Sequence, residues 1–66
     1  MKIYSIVYCF LDKNGVIEQD ENGDIIYTSV VNAQNEKNAI LVLKMQEKFV
    51  SEPEILRIKE ITNGSN

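Results

Sequence analysis

The sequence predicts an α+β domain of order ββαβ, an antiparallel sheet with one helix packed on one face, spanning residues 1–61 and followed by a flexible polar tail at 62–66. Three observations predict it. Alternating, β-branched and aromatic residues fill the first eleven positions and again the stretch from Asp24 to Ala33, as strands require. The pattern then changes to good helix formers from Glu36 onward. Finally, Ser51-Glu52-Pro53-Glu54 stops that helix, since proline cannot continue it, and Ile55 to Ile61 alternates again.

The first strand is expected over Lys2 to Leu11. One face carries Tyr4, Ile6, Tyr8 and Phe10; the other carries Ile3, Ser5, Val7, Cys9 and Leu11. Both faces are largely apolar, so neither reads as a solvent face. The set with the smaller Ser5 and Cys9 is expected to face the helix. That leaves Tyr4, Tyr8 and Phe10 either under the C-terminal residues or as an aromatic partner surface, a role in which tyrosine is favoured.

Asp12 to Asp24 connects the first two strands as an elaborated hairpin tip, with turn signals at Asn14-Gly15 and Asn22-Gly23. Glu18, Asp20, Glu21 and Asp24, with Asp12, make it the most acidic part of the chain, and these residues are candidates for docking on a basic partner. Glu18 to Ile25 partly imitates a calcium-binding EF-hand loop, but the twelfth position is Ser29 where a bidentate glutamate is required, so no metal site is predicted. On the second strand, Val31 and Ala33 are expected to point under the helix.

Asn35 is the N-cap candidate, Glu36 suits the positive end of the helix dipole, and Lys44 and Lys48 suit the negative end. The helix is expected to run to about Phe49. At about 100° per residue, Ala39, Val42, Leu43, Gln46 and Val50 form a core stripe, while Leu41, Met45 and Phe49 form a second ridge. A sheet covers one side of a helix, so that ridge is an interface candidate, with a wide core-facing arc as the other reading. On the last strand, Leu56 and Ile58 are expected to be the core pair.

Sixty-six residues make one domain, and a chain this short buries only about 60% of its unfolded surface. A single cysteine excludes an internal disulfide, and the absence of histidine argues against a zinc staple. Self-association is the stabilising device that remains, so a homodimer or higher oligomer is expected. The net charge of −3 disfavours direct nucleic-acid or anionic-membrane binding. No apolar run approaches a membrane span, no export signal is apparent, and a lone cysteine fits a reducing cytoplasm. Neither a catalytic residue set nor a cofactor-binding motif is found: Cys9 lies mid-strand in an apolar setting, and no phosphate-binding glycine pattern occurs.

The pattern Val31-x-Ala33-x-Asn35-x-x-x-Ala39-Ile40, after a hairpin and before a short strand, resembles that of small ββαβ accessory proteins of bacterial phages and mobile elements, among them inhibitors of bacterial defence systems. The resemblance implies a small acidic, oligomeric, phage-encoded protein and supplies no site residue. The expected function is non-enzymatic: inhibition or modulation of a larger host protein by contact. The Leu41-Met45-Phe49 ridge, the Tyr4-Tyr8-Phe10 face and the acidic loop would be divided between self-association and the target. One alternative is an oligomeric sponge for a small signalling nucleotide, using Arg57 and Lys59 near the tyrosines. Another is a structural or assembly protein.

Overall fold

A computed structural model describes residues 1–61; the tail expected at 62–66 lies outside the described residues. Strand β1 (Lys2–Cys9) is followed by two short strands, β2 (Gln19–Asp20) and β3 (Gly23–Asp24), then β4 (Tyr27–Ala33), helix α1 (Glu36–Glu47) and β5 (Glu54–Ile61). The main sheet has the order β4-β1-β5, with both outer strands antiparallel to β1. Helix α1 crosses from one edge strand to the other, packing chiefly on β4 and more lightly on β1. This is the α+β, ββαβ architecture that the hydrophobic pattern predicts. Among the described residues no helix is long and apolar enough to cross a membrane.

The helix begins where its cap dictates. Asn35 is extended, and its side-chain oxygen accepts the Asn38 N–H at 2.9 Å, which satisfies one of the free amides of the first turn. Ala39 and Leu43, one turn apart, are buried against Tyr4, Ile6 and Tyr8 of β1 and Val31 and Ala33 of β4. Val31 and Ala33 therefore lie beneath the helix as the sequence predicts.

Three expectations about facing are corrected. The face of β1 under the helix is the Tyr4-Ile6-Tyr8 face, not the Ser5-Cys9 face. Ala39 on the helix and Ala33 on β4 supply the small residues that close approach needs, which leaves room for tyrosine rings on β1. The Tyr8 hydroxyl finds a partner in Ser29 Oγ at 3.3 Å, so its burial leaves no polar group unpaired.

The expected Leu41-Met45-Phe49 ridge is also broken. The helix ends at Glu47, and Lys48 takes a left-handed conformation (φ 51°) that turns the chain. Phe49 is carried back against the core beside Tyr8 and Phe10, whereas Leu41 and Met45 remain exposed. The same turn leaves Val50, assigned to the core stripe by its helical spacing, fully exposed, and Gln46 is exposed as well.

On β5 the core pair is Ile55 and Ile58 rather than Leu56 and Ile58. The β1–β5 register shifts between Val7 and Tyr8: Arg57 lies opposite Val7, but Ile55 lies opposite Tyr8. Leu56 is the extra residue of this bulge, and it stands exposed.

Candidate interaction surfaces

Pairing in the ladders decides which residues share the sheet face away from the helix. Directly opposite residues point the same way, so Asn32, Ile3 and Ile61 form one row, Val30, Ser5 and Lys59 the next, and Thr28, Val7 and Arg57 a third. No element of the described chain packs on this face in the way α1 packs on the other. Ile3 and Val7 are half-buried between their neighbours, while Val30 and Ile61 are exposed. The face is uncharged along β4 and basic along β5.

This arrangement separates the groups invoked for a nucleotide site. Arg57 and Lys59 lie on the open face, whereas Tyr4, Tyr8 and Tyr27 lie on the helix face. Tyr4 and Tyr8 are only 3% and 4% exposed, and half-buried Phe10 packs against Tyr8, so the aromatic face proposed as a partner surface is the protein's own core. Only Tyr27 of the tyrosines remains substantially exposed.

The connection between β1 and β4 folds as two nested turns. Leu11 bridges to Ile17, and Gly15 (φ 79°) closes the first turn by donating its N–H to the Asp12 carbonyl at 2.9 Å. Asp12 Oδ1 accepts the N–H groups of Asn14 and Val16 at 2.8 and 3.0 Å. In the second turn Asp20 Oδ1 accepts the Asn22 N–H at 2.8 Å, and Gln19 Nε2 donates to Asp24 Oδ1 at 2.7 Å across the β2–β3 pair. Three of the five carboxylates thus shape the turns. Glu18 and Glu21 are exposed. Residues 12–24 hold five carboxylates against one lysine, a net −4, where the whole chain carries −3; the charge of the protein is therefore concentrated at this end. Among the described residues no group of three metal-ligating side chains converges.

Cys9 is fully buried and opposes Glu54 in the ladder. Burial pushes its thiol above the ordinary value, and the carboxylates of Glu54 and Asp24 push the same way. A thiol held neutral in this manner is a poor nucleophile.

On the helix, Met45 is 74% exposed and Leu41 52% exposed. Leu41 and Val42 border a depression of about 280 Å³ whose far wall is Asn32 and Ala33 at the end of β4. Sequence reasoning left Leu41 and Met45 between an interface ridge and a core-facing arc, and it missed Val30 as a surface group. Its signal was present: Val30 alternates with Val31, which the same reasoning put under the helix.

Comparison with family models, with curated proteins and with solved structures finds no match for this chain.

Proposed function

We propose that this chain is a non-enzymatic binding protein of the cytoplasm that acts by occupying a basic groove on a larger protein with its acidic hairpin. The observation that carries the reading is the concentration of charge in residues 12–24, held there by turns that its own aspartates shape. Turns fixed by backbone-to-side-chain hydrogen bonds present Glu18 and Glu21 with less conformational entropy to lose on docking. An excess of negative charge at one end also speeds encounter with a positive surface. A bacterial defence protein is the target class that the resemblance to phage accessory proteins implies, and inhibition would follow from blocking the groove.

The test compares wild type with the double charge reversal Glu18→Lys, Glu21→Lys in capture from bacterial lysate and in protection of phage from host defence. Loss of both capture and protection in a variant that keeps its circular dichroism supports the reading. Equal capture and protection by the two proteins would sink it.

A further inference from the structure

The two edges of the main sheet differ in chemistry. Natural sheets guard their edges with charge, proline or bulges, because an open row of N–H and C=O groups invites another strand. β5 is guarded: it carries Glu54, Arg57, Lys59 and Glu60, and its ladder with β1 contains a bulge. β4, Tyr27-Thr28-Ser29-Val30-Val31-Asn32-Ala33, has no charged residue, no proline and no glycine, and is rich in β-branched residues. Val30 at its midpoint is 59% exposed.

The two strands also differ in what self-pairing would bring together. In a two-fold antiparallel pair, facing residues must lie on the same side of the sheet. For β5 the central registers set Arg57 against Arg57, Arg57 against Lys59, or Lys59 against Lys59, and like charges directly opposite are destabilising. For β4 the fully overlapped register sets Val30 against Val30, Thr28 against Asn32, Ser29 against Val31 and Tyr27 against Ala33, with no charge conflict.

The helix supplies a second, independent observation. Lys44 pairs with Glu52, which lies on the connection toward β5, so the Lys44 side of α1 faces β5. Measured from buried Ala39 and Leu43, Asn38 and Val42 fall on the flank away from Lys44, toward the free edge of β4, and Met45 points between that flank and solvent. The depression between Leu41 and Val42 and the end of β4 agrees with that orientation. The exposed apolar side chain of Met45 thus lies on the solvent side of the flank that faces the unguarded edge.

We propose that two copies of this chain pair β4 with β4 about a two-fold axis at Val30. The product is a six-stranded antiparallel sheet with the two α1 helices side by side on one face. Strands lie about 4.8 Å apart, and α1 covers β4 and β1, so the helices would stand roughly two strand spacings, about 10 Å, from one another. That matches the 8–10 Å or so at which helices pack, and it places Val42 at the seam with Met45 on its outer side. The pairing removes the unguarded edge and covers apolar groups that the single chain leaves in water. It stands apart from the target reading: a monomer that still binds a host protein would refute this proposal alone.

Light scattering across a dilution series, on the full chain, tests it. The expected wild-type mass is twice that of the chain, and Val30→Lys and Met45→Lys should each halve it while circular dichroism stays unchanged. Leu56→Lys, on the guarded edge, should leave the mass doubled. Oxidation of Val30→Cys should give a disulfide-linked dimer, and oxidation of Leu56→Cys should not. A folded wild-type monomer overturns the proposal. So does a mass that grows without limit, which means β4 pairing with β5 of the next copy, and so does a dimer dissolved by Leu56→Lys but not by Met45→Lys, which means association through the β5 edge.

Discussion

Tyr8 and Tyr27 lie opposite one another in the β1–β4 ladder, with ring centroids 5.4 Å apart and planes 17° from parallel. Phe49 closes on the Tyr8 ring edge-on at 5.3 Å, and Phe10 meets Tyr8, Tyr27 and Phe49 at 5.4 to 6.0 Å. Four rings, from β1, the residue just after it, β4 and the post-helix turn, thereby seal the end of the core near the C-terminus of α1.

Phe49 is accordingly a folding residue. Phe49→Ala should destabilise the chain by about 2 kcal/mol, below the full cost of truncating a completely buried phenylalanine because this ring is half-buried. Against the ~3–10 kcal/mol expected of a domain this size, that is a large loss. Urea unfolding should show a lowered midpoint. An unchanged midpoint with a halved solution mass would instead make Phe49 an interface residue.

Lys48 carries the cluster through its backbone. Its N–H donates to the Lys44 carbonyl at 3.1 Å, and its φ of 51° belongs to the region glycine enters without penalty. Lys48→Gly should therefore stabilise the protein by about 1 kcal/mol, read as a higher urea midpoint. A loss of stability would show that the unfolded-state entropy of glycine outweighs the relief.

These two residues also show where the sequence was legible. The start of α1 could be read because Asn35 has the side chain that a cap requires, and the change of period follows at once. The end could not, because nothing in Glu47-Lys48-Phe49-Val50 is a glycine or proline, and the apolar spacing runs on past the true stop. Only the packing of Phe49 against Tyr8 and Phe10 decides it. The facing of β1 was illegible for a related reason: both of its faces are apolar, so period two has no phase, and the small residues that choose the phase, Ala33 and Ala39, lie on other elements. The β5 bulge depends on the partner strand and leaves no local mark at Leu56. The acidic hairpin was legible as composition and as turns, because Asn-Gly pairs act locally.

The N-cap makes a direct prediction. Asn35→Ala removes the acceptor of the Asn38 N–H and should cost about 1 kcal/mol, while Asn35→Asp should keep most of the stability. Both effects are read from thermal or urea unfolding followed at the helix signal. If Asn35→Ala were neutral, the turn from β4 into α1 would be held by packing alone.

Cys9 predicts how stability depends on pH. Its thiol pKa is raised in the folded chain, first by burial and then by Glu54 and Asp24, above an ordinary value of 9.0. Between those two values the folded state holds a proton that the unfolded state has released, so unfolding stability falls as pH rises. The contribution is complete below the unfolded value and is lost as pH climbs from about 9 toward the folded value. The measurement is a difference between two chains that share every other titratable group. Urea midpoints of wild type and Cys9→Ala are compared at neutral pH and at several values above 9. The wild type should lose stability more steeply, so the two curves converge as pH rises. In native buffer the thiol should also resist an aromatic disulfide reagent until urea opens the fold. Parallel pH curves together with rapid native labelling would mean that Cys9 is solvated, and that the end of β1 opens far more readily than its burial implies.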